Sequence, residues 1–430
     1  MTGPHTKPTR RRSAETTAPR ADDAYRSTSL VDATGLSIDH AEPWAEDFRM
    51  IARAVHAEDK PRLRATAPDG WTRHIAVSIP LVEPDRWDSH VLRFLNDLLQ
   101  TLTGDTWDVS VEPGGVPLDR RGRFAAGWQA DEVALYSGGL DSVAYAAARA
   151  RADSGQVMLV AHDDAGAASA QMAVFKHLAP GRLWLARTRF DDDHPRDGAR
   201  ANTERAQGTR PESSTRSRGL LFLASALLVA SAHRVRQVAV PENGQLALNP
   251  ALTLGRIGTT STRSVHPYVT AGINRIIAAV GGDVTVVNPW LALTKGEVCA
   301  EAVAAGLTPD VLARTVSCGQ HTAPREGPNG QCGYCVPCLF RRSGLRAALG
   351  SDPTEYHADL WELDTEPRRR HLYDLQRWLA RPFTALDLVA DMPLPADADP
   401  AILTSTVLRG RKELSAMLRD HGHWAGDPAI

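Results

Sequence analysis

The 430-residue chain predicts an α/β fold: a doubly wound parallel sheet, with a small α/β domain before it and helices after it. Three observations predict this. Between residues 131 and 305, five short apolar runs alternate with helical stretches, the βαβα rhythm of such sheets. The first run empties through Ser137-Gly138-Gly139-Leu140-Asp141-Ser142 into an alanine-rich helix. Four of the five cysteines then fall between Cys318 and Cys338, which in a chain with no secretion signal argues for metal and against disulfides.

In chain order, residues 1–37 are rich in Thr, Pro and Arg and lack an apolar segment, so they read as a disordered tail. A small α/β domain is expected over 38–113. It has a strand at His74–Val82, a helix at Ser89–Leu102 with Val91, Leu92, Leu95, Leu98 and Leu99 on one stripe, and a strand at Trp107–Val111. Residues 114–130, rich in Gly, Pro and Arg, read as a linker. In the main domain, 131–349, strands are expected at Val133–Tyr136, Gln156–Ala161, Arg182–Ala186, Gln237–Val240 and Val284–Val287. Helices are expected at Asp141–Ala152, Ala167–Leu178, Gly219–His233, Tyr268–Val280 and Lys295–Ala305. The connection Phe190–Arg218 has no aliphatic residue larger than Ala and reads either as a mobile flap over a nucleotide or as plain disorder. Residues 350–430 read as a helical extension, with Leu372, Leu375, Trp378 and Leu379 at helical spacing and an amphipathic run over Ile402–Leu418.

The formal net charge is −2, which gives no global electrostatic case for a nucleic-acid partner. The longest apolar stretch, Leu220–Ala232, is too short and too broken by Ser to span a bilayer. The expectation is a cytoplasmic protein of enzyme size with no membrane partner.

The Ser-Gly-Gly turn carries the chemistry. Two glycines allow close backbone approach, successive N–H groups converge on one point, and the helix dipole adds about half a positive charge. Ser137 and Ser142 add hydroxyls, and Asp141 can orient a hydroxyl or help hold a metal. Five fixed residues of this kind coincide by chance on the order of once per million positions. The turn lacks the Gly-Lys-Ser/Thr ending of a Walker A loop and the Gly-x-Gly-x-x-Gly of a dinucleotide fold. It resembles the loop of the PP-loop ATP pyrophosphatases. That resemblance implies ATP-binding by Ser137, Gly138, Gly139, Leu140, Asp141 and Ser142, and release of pyrophosphate.

Cys318, Cys332, Cys335 and Cys338 form Cys-x13-Cys-Gly-Tyr-Cys-x-x-Cys, a tetrathiolate set suited to structural Zn²⁺, with Gly333 permitting the knuckle's bend. An iron–sulfur cluster also takes four cysteines, and a redox Cys-x-x-Cys is the third reading. Cys299, in an Ala-rich helix, reads as a buried small hydrophobe.

Loop, Thr294-Lys295-Gly296-Glu297 and cysteine cluster, with Arg341-Arg342 behind them, together resemble 7-cyano-7-deazaguanine synthase, the QueC-like branch of the PP-loop enzymes. The resemblance covers roughly 131–349. It implies an ATP-dependent carbon–nitrogen ligase: ATP with Mg²⁺ adenylates a 7-deazapurine carboxylate, ammonia converts the adenylate to an amide, and a second activation dehydrates the amide to a nitrile. Asp141 and Lys295 are the catalytic candidates it implies. The family's Tyr-Pro-Asp segment after the fourth strand is absent; Pro241-Glu242-Asn243-Gly244-Gln245-Leu246-Ala247-Leu248-Asn249-Pro250 stands there instead. With its two extra regions the chain is similar to the longer QueC-like proteins of bacterial anti-phage systems, the Qat type in particular. That likeness implies a different acceptor amine, including one on a protein, and defence-system partner proteins.

Other positions carry two readings each. Lys295 at a helix start is a phosphate-reaching charge or an exposed helix lysine; Arg216 and Arg218 are anion clamps or solvated loop residues. Glu242, Asn243 and Asn249 are substrate-binding hydrogen-bonders or turn formers. Arg263 and His266 are substrate contacts, or His266-Pro267 simply caps a helix. His162, Asp163 and Asp164 are adenosine or metal contacts or helix caps. Two rival functions stand beside the ligase: a tRNA-modifying PP-loop enzyme, for which Cys299 is the only isolated thiol, and a nucleotide-binding zinc scaffold for defence partners.

Overall fold

The computed structural model describes residues 28–32, 41–117, 129–152, 155–162, 168–178, 182–190, 212, 216–253, 263–319, 330–363 and 365–422. Among the described residues the strands are β1 (Thr28–Asp32), β2 (His74–Leu81), β3 (Thr106–Pro113), β4 (Glu132–Leu135), β5 (Val157–His162), β6 (Leu183–Phe190), β7 (Gln237–Ala239) and β8 (Thr285–Val287). Six of them form one sheet in the order β1-β6-β5-β4-β7-β8, all parallel except the edge strand β1. The helices that matter most are α1 (Pro43–Asp59), α2 (Ser89–Thr103), α3 (Leu140–Ala150), α4 (Ala168–Phe175), α5 (Arg218–Ala232), α6 (Gly244–Leu248), α7 (Pro267–Ala279) and α8 (Lys295–Ala304). After them come α9 (Pro309–Arg314), α10 (Val336–Leu349), α11 (Glu366–Ala380), α12 (Ala385–Val389) and α13 (Pro400–Asp420). The expected strands and helices of the main domain are all present, their ends moved by a few residues.

Both faces of the sheet's centre are covered, so β4, β5 and β7 carry apolar residues at consecutive positions. Val133, Met158, Val160 and Val238 face one core with α5 and α7; Ala134, Leu159, Ala161 and Ala239 face another with α3 and α8. The period-two alternation of a strand sends neighbouring residues to opposite cores. Helix α5 is apolar on all sides because it is enclosed on all sides: Leu220, Leu221, Leu227, Leu228 and Val229 are each 1% exposed or less. No described helix is long and apolar enough to cross a membrane.

Two expectations meet a different structure, and the C-terminal helices pack on the core as a helical extension would. Strand β1 lies inside the segment read as a disordered tail; Thr28-Ser29-Leu30-Val31 supplies β-forming residues that pair antiparallel with β6 and lengthen the sheet. The unit over 38–113 has no separate core. Its Trp44, Phe48, Ile51, Leu95, Leu98 and Leu99 join the same cluster as α5 and α7, because β2 and β3 make a two-stranded sheet too small to bury a face alone. The C-terminal helices likewise share a core with the main domain: Leu375, Trp378, Val407 and Leu414 pack with Leu248, Leu339 and Phe340. The interior of the Phe190–Arg218 connection, Asp163, Asp164 and residues 118–128 of the linker lie outside the described residues, so the flap reading does too.

Candidate active site and metal centre

The strand order reverses direction at β4: β5 and β6 are added on one side, β7 and β8 on the other. Loops leaving the carboxyl ends of the two strands that flank such a switch point diverge and open a crevice. The loop after β4 is Ser137–Ser142; the loop after β7 carries Glu242 and Asn243.

The first loop is shaped for an anion. Gly138 has φ +74°, a conformation that favours glycine, and a Cβ there would press on Gln171. Gly139 caps α3. The first-turn N–H groups of a helix have no intrahelical acceptor. That of Leu140 is taken by Ser317 Oγ at 3.3 Å, while those of Asp141 and Ser142 meet no acceptor among the described residues. Ser137 and Ser142 hydroxyls lie 3.2 Å apart, and Ser142 Oγ also donates to the Gly139 carbonyl. Gln171 Nε2 donates to the Ser137 carbonyl at 3.2 Å, leaving its buried Oε1 without a partner among the described residues.

Asp141 joins the two loops. Its Oδ2 accepts from Asn243 Nδ2 at 2.9 Å and from the Asn243 backbone N–H at 3.2 Å, and its Oδ1 accepts from Lys295 Nζ at 2.7 Å. Burial pushes the Asp141 carboxyl up, but Lys295 and these donors outweigh it and hold the group ionised below the usual carboxylate range. Burial and the adjacent Asp141 charge push Glu242 the other way, well above that range, so one acid of the pair keeps its proton. Asn243 takes the turn reading: its Oδ1 caps α6 by accepting from the Leu246 N–H, while its amide nitrogen donates to Asp141 and Glu242 Oε1.

Lys295 is neither an exposed helix lysine nor a solvent-facing point charge, but is 2% exposed. The Thr294-Lys295-Gly296-Glu297 segment is a capping box, with Thr294 Oγ1 accepting from the Glu297 N–H and Glu297 from the Thr294 N–H. This box starts α8 beneath the first loop. Helix α10 closes over the lysine at Gly344, where a Cβ would strike Lys295 Cγ.

The remaining candidates sort differently. Arg218 lies over the Phe222 ring, which stacks on His162 at the carboxyl end of β5, so it sits at the carboxyl end of the sheet's parallel strands. Arg216 points elsewhere: it donates to the Thr103 carbonyl at 3.0 Å and covers Trp71, packing the N-terminal unit. Asn249 is the left-handed C-cap of α6 at φ +43°, the turn reading. Arg263 is committed to Asp391 at 2.7 Å and ties down the C-terminal extension, contrary to a substrate role. His266 caps α7 by accepting from the Tyr268 N–H, and burial pushes it down to about 4, so it is a neutral structural histidine.

The four cysteines converge. Their sulfurs all lie within 4.8 Å of one another, with Cys318–Cys335 at 3.9 Å and Cys332–Cys338 at 3.8 Å. At metal–sulfur bonds of about 2.3 Å, tetrahedral thiolates stand about 3.8 Å apart, so this spacing fits one ion such as zinc. Sulfurs in a disulfide would be about 2 Å apart. Backbone N–H groups of Gly319, Cys332 and Cys335 point at the sulfurs of Cys335, Cys318 and Cys332, the outer hydrogen bonds a thiolate site needs. Gly333 takes φ +89° between two ligands, as its place in the knuckle requires. Cys299 is fully buried and its thiol is pushed up by that burial, which makes it an inert core residue.

Sequence reasoning missed Gln171, Gln245, Ser317 and Glu413. Gln245 Oε1 accepts from the Lys295 N–H at 2.9 Å, and Glu413 accepts from the Gly296 N–H at 3.0 Å and from Thr294 Oγ1. Only Ser317 had a sequence signal, its adjacency to Cys318. No family model and no curated protein matches the chain.

Proposed function

We propose that this chain is a QueC-like PP-loop enzyme that uses ATP to adenylate a 7-deazapurine carboxylate and passes the acyl group to an amine, releasing AMP and pyrophosphate. The observation that carries the reading is the junction at the switch point: N–H groups of Asp141 and Ser142 that meet no acceptor among the described residues at a helix start, with the buried Lys295 cation bound to Asp141 behind them. Such a cradle suits the β,γ-pyrophosphate of ATP.

In the proposed reaction a substrate carboxylate oxygen attacks the α-phosphorus of ATP and the bond to the pyrophosphate oxygen breaks. The N–H groups, the serine hydroxyls and the positive end of α3 stabilise the departing charge. An amine then attacks the acyl carbon, AMP leaves, and the amine's proton passes to a base. Mg²⁺ would accompany the phosphates, with the ionised Asp141 as its protein donor. Glu242, neutral and partly exposed at the crevice, can donate a proton or a hydrogen bond to a reacting oxygen. The four-thiolate centre, closed and without an open position, would hold Zn²⁺ in a structural role.

The Pro241–Pro250 segment and the N- and C-terminal units support the longer, anti-phage-associated form with an acceptor other than ammonia. The enclosed Cys299 counts against sulfur transfer to tRNA. The test is pyrophosphate release from ATP with 7-carboxy-7-deazaguanine and a panel of amines, with Asp141→Ala as control. Orthophosphate in place of pyrophosphate, or no release with any carboxylate, refutes the reading.

A further inference from the structure

The metal centre and the anion loop are joined by a strap of four residues, Thr315–Cys318. At its far end Cys318 is one of the four thiol ligands. Next to it, Ser317 Oγ accepts the Leu140 N–H at 3.3 Å. Next again, the Val316 N–H donates to the Gly138 carbonyl at 3.2 Å, and the Val316 carbonyl would lie 3.2 Å from a Cβ added to Gly139. The strap thus touches three consecutive residues of the anion loop. Thr315 is held from behind by groups that flank the other ligands. Gln331, before Cys332, donates to the Thr315 carbonyl at 2.7 Å, and the fully buried Arg341, after Cys338, donates to Thr315 Oγ1 at 2.6 Å. A helix first-turn N–H that is spoken for by a side chain can be released only if that side chain moves. A strap fixed at a metal ligand moves little.

We propose that Ser317 is a positioning residue of the anion site, through which an ion held by the four cysteines sets the geometry of the Gly138–Leu140 turn. This rests on the pyrophosphate reading of the loop. Metal occupancy and anion affinity are then coupled in both directions, since linkage is reciprocal.

The test is on the full-length protein, loaded with zinc or with cobalt as a spectroscopic substitute, with pyrophosphate as the probe. Calorimetry should give a pyrophosphate affinity about tenfold weaker for Ser317→Ala, with four-thiolate metal content unchanged. Saturating pyrophosphate should shift the visible cobalt bands of the wild type and leave those of Ser317→Ala where they are, which a merely structural serine would not do. Ser317→Thr, keeping the hydroxyl, should restore both. Equal affinity and equal spectra in wild type and Ser317→Ala overturn the coupling while leaving the anion site standing. A wild type that does not bind pyrophosphate overturns both readings.

Discussion

Lys295 Nζ lies 2.7 Å from Asp141 Oδ1, with 2% and 6% of the two side chains exposed, across 154 residues of chain. Taking two charges out of water costs several kcal/mol each, and their attraction repays this only when further hydrogen bonds satisfy the ions. Asn243 supplies those for Asp141. Burial lowers the Lys295 ammonium, yet Asp141 and Glu242 outweigh it and raise its affinity for the proton.

Replacing Lys295 with Met should therefore destabilise the fold by about 3–5 kcal/mol, the cost of leaving one member of a buried pair alone. Urea denaturation would measure it. In the double variant Lys295→Met/Asp141→Asn much of that loss should return, because both charges are gone, while pyrophosphate release stays absent. A double variant no more stable than Lys295→Met would show that the two residues are not coupled.

Glu242 holds its proton past the usual carboxylate range because of burial and then of Asp141. If its acid form serves the reaction, pyrophosphate release should fall as rising pH removes that proton. Glu242→Gln keeps a donor that does not titrate, so the alkaline limb of its pH–rate profile should flatten. An unchanged limb would assign the titration to another group.

The parts of this architecture set by local pattern were legible in the sequence. The Ser-Gly-Gly turn, the helix start at Lys295 and the Cys-x-x-Cys knuckle each need only neighbouring residues to specify them. The alternation of apolar runs gave the sheet because both of its faces are covered. What escaped depends on contacts distant in sequence. Gln245 and Glu413 matter only because α13 packs against α6 and the start of α8, and Arg263 loses its substrate reading to Asp391, 128 residues away. Arg216 and His266 fit anion or substrate chemistry by type alone, and their burial beside Trp71 and in the α7 cap settled their roles.

Helix α13 reaches the site through a residue with no side chain. A Cβ on Gly410 would collide with the Gln245 amide that accepts the Lys295 N–H. Gly410→Ala should cost about 1–3 kcal/mol by overpacking, and should lower turnover beyond what the stability loss explains, since Gln245 must shift. Leu386→Ser, at a position 78% exposed, is the control that should leave both unchanged. Thermal melts and pyrophosphate release at a temperature where the variants stay folded separate the two effects. Full activity in folded Gly410→Ala would remove α13 from the support of Lys295.

The same helix carries a pH dependence. Burial pushes Glu413 up to about 7, against the opposing hydrogen bonds from Thr294 and Gly296. The folded protein therefore binds this proton more tightly than the unfolded chain, whose carboxyl titrates at the ordinary 4.5. A group raised in the folded state favours folding at low pH, and its contribution is lost as pH climbs from the unfolded value to the folded one. The loss is about 3 kcal/mol between pH 4.5 and 7. His266, pushed down to about 4, has the opposite sign: it makes the fold gain stability as pH rises from 4 to 6.5. The two slopes overlap in the wild type, so its profile alone does not separate them. The difference between Glu413→Gln and wild type does. The amide still accepts from Gly296, so the two should match near pH 4, and the variant should become the more stable by pH 8. A difference that stays flat from pH 4 to 8 would mean that Glu413 titrates like a carboxylate in water.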